Sequence, residues 1–127
     1  PGDRLPRVVN ADARAFLATL RDDPGYAPVA TTFYLDPARR DTVGRRVAGF
    51  EDCSPNLLDL LPRLGELGSP VMVKAAPMLD IAAALRALDE VRAGPSAHAA
   101  MAAPAVREVH VVSVANECKE LLVLLDG

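Results

Sequence analysis

Residues 106–125, VREVHVVSVANECKELLVLL, decide the fold. Val106 to Val114 and Leu121 to Leu125 are two strand-like apolar runs, and only Ala115 to Glu120 separate them. Parallel strands need a crossover of a dozen or more residues, usually a helix. So short a link cannot hold one, so this pair is predicted to be an antiparallel hairpin. Upstream the pattern differs. Arg7-Val8-Val9-Asn10-Ala11 is a short apolar run followed by Asp12. Val29 to Leu35 (VATTFYL) is rich in β-branched and aromatic residues and ends in Asp36-Pro37. Val71-Met72-Val73-Lys74-Ala75 follows the turn signal Gly68-Ser69-Pro70. Each run is short, nearly continuous in apolar character and bounded by turn residues. Strands covered on both faces have this pattern.

Helical patterns alternate with these strands. Ala13 to Arg21 places Phe16, Leu17 and Leu20 on one face, with Asp12 as a candidate N-cap. Ser54-Pro55 offers a cap and a first helical position, and Leu57, Leu58, Leu61 and Leu64 form the stripe behind it. Pro62 is expected to kink that helix or end it early. Leu79 to Val91 carries Leu79, Ala82, Ala83, Leu85, Leu88 and Val91 at helical spacing. Residues 94–104, GPSAHAAMAAP, are predicted to be a loop. The expected class is therefore α/β: parallel strands with flanking helices, ending in an antiparallel hairpin.

The composition is compatible with one domain over residues 1–127. The chain has 127 residues, 50% of them hydrophobic and 24% charged, which excludes wholesale disorder. No apolar run reaches the roughly 18 residues of a membrane helix. The first residues, Pro1-Gly2-Asp3-Arg4, lack a signal-peptide layout. A net charge of −3 argues against holding nucleic acid by bulk charge alone. Only two cysteines, Cys53 and Cys118, suggest a reducing, cytoplasmic setting. With 3 Phe, 2 Tyr and no Trp, the core must be aliphatic.

In an open parallel sheet, ligands bind beyond the carboxyl ends of the strands. Three polar signals fall there: Asn10-Ala11-Asp12, Asp36-Pro37-Ala38-Arg39-Arg40 and Lys74-Ala75-Ala76-Pro77. A strand-end carboxylate can accept from a ribose hydroxyl or an exocyclic amine. Equally, Asp12 and Asp36 can cap the next segment and do nothing else. Pro37 biases Asp36 toward an extended backbone, which aims its side chain and carbonyl outward. Arg39, Arg40, Arg45 and Arg46 suit phosphate, or form a solvated loop diluted by Asp41, Glu51 and Asp52. Lys74 either snorkels to solvent or pairs with a ligand or carboxylate. His98 and His110 have no partner at metal-ligand spacing, so no metal site is expected. The chain contains no GxSxG elbow, GxGxxG turn or P-loop.

This order of parts resembles a class I, Rossmann-like methyltransferase that uses S-adenosylmethionine. The runs YLDPARRD, FEDCSPNLLDLLP, VKAAPMLDI and VREVHVVSVANECKELL are similar to bacterial methyltransferases that carry a THUMP-like C-terminal domain. The resemblance covers about Val8 to Leu125. It implies that Asp12 and Ala13 lie near the cofactor's adenine. It implies that Asp36 and Pro37 stand at the reaction centre, where Asp36 also borders the cofactor. Arg39, Arg40, Lys74 and Pro77 are implied on the substrate side, with RNA as the implied substrate. Two departures accompany it. The family's first strands and glycine-rich turn have no counterpart here, so the chain is expected to be the back part of a catalytic domain and inactive alone. Asp36-Pro37-Ala38-Arg39 also departs from the Asp-Pro-Pro-aromatic pattern of amino-methylating members. Exposed sheet edges make a homodimer the expected assembly. The rival is a non-catalytic α/β module that binds a partner or assembles. A hydrolase would need a nucleophile with a base partner, which the sequence does not offer.

Overall fold

The computed structural model describes residues 5–39, 53–54, 56–76, 80–92 and 104–126. Each helix starts where a short polar side chain takes an N–H that the first turn leaves unpaired. Asp12 caps α1 (Ala13–Leu20), its Oδ1 accepting from the Arg14 N–H at 2.9 Å. Asn56 caps α2 (Leu57–Leu67), accepting from the Leu58 N–H at 3.0 Å. Asp80 accepts from the Ala83 N–H at 3.0 Å at the head of α3 (Ile81–Arg92). Gly68 closes α2 with a φ of 74°, a left-handed conformation that a glycine adopts without a Cβ clash.

The strands are β1 (Phe33–Leu35), β2 (Ala38–Arg39), β3 (Cys53–Ser54), β4 (Val71–Ala75), β5 (Val106–Val114) and β6 (Glu117–Leu125). Four of them form one sheet in the order β1-β4-β6-β5. β1 and β4 are parallel, with Phe33, Tyr34 and Leu35 beside Val71, Met72 and Val73. β6 is antiparallel to both of its neighbours, so the last strand inserts reversed between β4 and β5. The expected hairpin is present and longer than its apolar runs. Its turn is Ala115-Asn116, both at positive φ (52° and 63°), the pattern of a two-residue type I′ turn. So tight a turn lets the ladder run to Glu117, four residues before the apolar stretch begins.

The core lies on one face of this sheet. Val71, Val73 and Ala75 of β4 and Leu121, Val123 and Leu125 of β6 meet Leu57, Leu60, Leu61, Leu64 and Leu67 of α2. Ala84 and Leu88 of α3 and Leu17 of α1 complete it. Tyr34, Met72, Leu124 and Glu108 share the opposite face, as do Lys74, Leu122 and His110, by the strand register. Among the described residues all three helices contribute to the first face, so the sheet is covered there only.

The path into β1 is held by a buried polar knot. The Tyr26 hydroxyl donates to the Leu67 carbonyl at 2.9 Å and sits against the Ser69 hydroxyl. Ser69, fully buried, donates to the Pro28 carbonyl at 3.1 Å. No buried side-chain nitrogen or oxygen among the described residues lacks a partner.

Several expectations are corrected. Arg7 to Ala11 is not a strand. Its residues are exposed, Val8 at 92%, and β1 has only β4 as a ladder partner among the described residues. Apolar character favours a strand, but a strand exists only with a neighbour to take its backbone groups. The run from Val29 becomes a strand only at Phe33, because Pro28 opens a 3₁₀ turn through Ala30. Ser54 is not a cap: it pairs with Ala38 in a small antiparallel ribbon, β2 with β3. Pro55 lies outside the described residues, as do 77–79 and most of the expected 94–104 loop. Pro62 does not end α2, which continues to Leu67. Burial of five leucines on one side outweighs the roughly 3 kcal/mol that an interior proline costs. α3 starts at Ile81, two residues after Leu79, where Asp80 can cap it, and Ala84 takes the buried place while Ala82 is exposed.

Candidate functional site

Three chain segments converge at the carboxyl end of β1. The strand delivers Tyr34, Leu35, Asp36 and Pro37; the first turn of α2 delivers Leu57 and Leu60; α1 delivers Ala13 at its first position. Together they line a cavity of about 200 Å³. Leu57 and Leu60 are buried and are also part of the hydrophobic core. Tyr34 is 57% exposed, an unusual state for a large ring on a strand. The lining is apolar with one carboxylate, Asp36, which is itself exposed.

Asp36 is engaged from the next strand. Lys74 Nζ lies 3.4 Å from Asp36 Oδ2 and 3.9 Å from Glu120 Oε2. Glu120 stands on β6, so the ammonium of the middle strand is held by carboxylates from both neighbours. The Asp36 charge and hydrogen bond, with a smaller contribution from Glu120, raise the Lys74 pKa above 10.5; partial desolvation opposes them. Lys74 is therefore a cation throughout the neutral range.

The structure brings Ala13, Asp36 and Pro37 into one cavity and pairs Lys74 with Asp36. Asp12 does not line the cavity; it caps α1 and so sets Ala13 at the rim. Arg39 lies in β2, opposite Cys53. Arg40 and Pro77 lie outside the described residues, as do Arg45 and Arg46. Four residues were not singled out from sequence: Tyr34, Leu57 or Leu60 as lining, and Glu120. Tyr34 could have been found. It is the aromatic residue two positions before Asp36, and strand alternation keeps both on one face. Leu60 falls at helical spacing from Leu57 and Leu64. Glu120 carried no local signal, because its partner is 46 residues away in sequence.

Among the described residues no group of three His, Cys, Asp or Glu side chains could hold a metal ion. No helix among them is long and apolar enough to cross a membrane.

No family model matches the chain. No curated protein matches it either. One solved structure does: that of a provisionally assigned methyltransferase from Porphyromonas gingivalis W83, at 28% identity and a TM-score of 0.55. The fold is methyltransferase-like. The likeness covers 89% of this chain and 22% of the other, so the chain spans about a fifth of the length of the protein it matches. In open α/β sheets the carboxyl ends of the parallel strands carry the ligand, and Asp36 and Lys74 stand at two adjacent ends.

Proposed function

We propose that this chain forms the acceptor side of a site that transfers a methyl group from S-adenosylmethionine to a nitrogen of an RNA base. The observation that carries the proposal is the meeting of Asp36, Pro37 and Ala13 in one small apolar cavity at the end of a parallel strand. The methyltransferase fold of the matched structure supports it.

The cavity of about 200 Å³ is below the roughly 300–1,000 Å³ of sites that enclose a drug-sized ligand. It suits one flat ring and not a whole cofactor. The residues fit such a ring. Pro37, Leu57 and Leu60 offer aliphatic walls, and Tyr34 borders the cavity from β1. Asp36 would accept from an N–H on the ring's edge, orient that nitrogen and take up its proton as the new bond forms. Pro37 restrains the Asp36 backbone, so the carboxylate is set before the substrate arrives. When bound, S-adenosylmethionine supplies an electrophilic methyl group. The protein's share is then alignment, worth up to about 7–11 kcal/mol where reacting groups are well oriented. Asp12 keeps its second oxygen for the cofactor's adenine amine. Arg39 and Arg40, next in sequence, would meet substrate phosphate, and Pro77 would wall the substrate side beyond Lys74.

Isothermal titration of the chain with S-adenosylhomocysteine tests this reading. The expected result is a micromolar Kd, weakened at least tenfold by Ala13→Arg, which would project a long cation from the cavity rim. No heat of binding with the wild-type chain would overturn the assignment of these residues to a cofactor-adjacent site.

A further inference from the structure

Resting on that reading, we propose that Glu120 is a positioning residue for Asp36, acting through Lys74. The strand order places Asp36 on one flank of β4 and Glu120 on the other. Lys74 pairs with Leu122 and Ala75 with Leu121, so Glu120 continues that ladder at the carboxyl end of β4. The Lys74 ammonium thus sits between two carboxylates, at 3.4 Å and 3.9 Å. Tyr34, across the ladder on β1, is the other titratable group that bears on Lys74.

A lysine carries a compact charge on a flexible four-carbon stem. Held at one end only, it can move between the two oxygens of Asp36 and cover the one the substrate needs. A second carboxylate on the far side restricts that motion. Among the described residues Lys74 binds Asp36 through Oδ2, and Oδ1 has no partner. Glu120 keeps the ammonium on the Oδ2 side, so Oδ1 stays open to a donor. The three groups carry a net charge of one minus at neutral pH. That leaves Asp36 attractive to an N–H donor instead of being neutralised by a lone lysine. A purely structural role is a poor account of Glu120. It is more than a third exposed, and ion pairs this open to solvent contribute little to stability.

The test is carboxyl-carbon NMR on the full chain, with three-bond couplings that report the Asp36 χ1 rotamer. Wild type, Glu120→Gln, Glu120→Asp and Lys74→Met are compared. The wild type is expected to show one dominant Asp36 rotamer, averaged in Glu120→Gln and in Lys74→Met and restored in Glu120→Asp. The thermal midpoint of Glu120→Gln should stay within about 2 °C of wild type. An Asp36 rotamer that ignores Glu120→Gln overturns the proposal. S-adenosylhomocysteine binding, measured in parallel, separates the two readings. Intact binding with an unmoved Asp36 sinks the role of Glu120 alone. A moved Asp36 without binding sinks the methyltransferase reading and retains the coupling.

Discussion

Replacing Pro62 with alanine should stabilise the protein. Pro62 is the sixth residue of α2 and has no N–H to give to the Leu58 carbonyl. Its ring also crowds that carbonyl. An interior proline costs about 3 kcal/mol relative to alanine. Two effects offset the gain. Proline restricts the unfolded chain, and losing that restriction costs about 0.4–1 kcal/mol. Pro62 is half-buried against α1, and exchanging its ring for a methyl group forfeits about 0.8 kcal/mol of apolar contact. The net expectation is a gain of about 1.5 kcal/mol. For a domain this size that corresponds to a rise of about 6 °C in thermal midpoint. Urea unfolding should show a higher midpoint at unchanged slope. An equal or lower midpoint would refute the reasoning. It would mean that the leucine side of α2 packs only around the bend that Pro62 imposes. In that case the variant should also disturb Leu57 and Leu60, which line the cavity from the same helix.

Two further outcomes follow from the turn and the ion pair. Ala115 holds a φ of 52°, which costs a residue with a Cβ about 1–2 kcal/mol; Ala115→Gly should gain about 0.5–1 kcal/mol after the entropy of glycine is counted, and an unchanged urea midpoint would show that the turn carries no strain. The Lys74 pKa is raised on folding, so its contribution is fully present below the unfolded value near 10.5 and is lost as pH climbs through the folded value. Stability of the wild type should therefore fall more steeply than that of Lys74→Met above about pH 10.5, with parallel curves from pH 6 to 9; a divergence in the neutral range would refute the assignment.

What was legible in the sequence was whatever a local rule could decide. β4 lies at Val71–Ala75, where its apolar run and its Gly-Ser-Pro turn put it. β5 likewise matches Val106–Val114. The hairpin followed from arithmetic on its link, and α1 from its cap and stripe. What failed needed knowledge of partners. Arg7 to Ala11 has strand composition and, among the described residues, no ladder neighbour, so it forms no strand and stays exposed. The β2–β3 ribbon rests on two residue pairs, Ala38 with Ser54 and Arg39 with Cys53, far apart in sequence, and no periodicity records such a contact. Continuous apolar strands implied cover on both faces, yet among the described residues helices cover one. Met72, Leu122 and Leu124 remain half-buried on the other. The site divided in the same way. Asp36-Pro37 announced itself as a strand end, whereas Glu120 became visible only when β6 was laid beside β4.

The sequence left Asp12 and Asp36 as either caps and ion-pair partners or ligand contacts. These need not be alternatives, because a carboxylate has two oxygens. Asp12 gives Oδ1 to the Arg14 N–H and Asp36 gives Oδ2 to Lys74. In each case one oxygen is used within the chain and, among the described residues, the other has no partner. The internal bond removes rotamer freedom that a ligand would otherwise have to freeze, at about 0.5–1.5 kcal/mol for each immobilised side chain. A structural role for one oxygen therefore prepares the other to bind. The same logic ranks the two residues. The Asp12 bond lies within one helix turn and is made as soon as α1 forms. The Asp36 bond waits on the register of β1 against β4 and on Glu120 beyond it. On the proposal above, preorganisation of Asp36 is a property of the assembled sheet and depends on a residue as remote in sequence as Glu120.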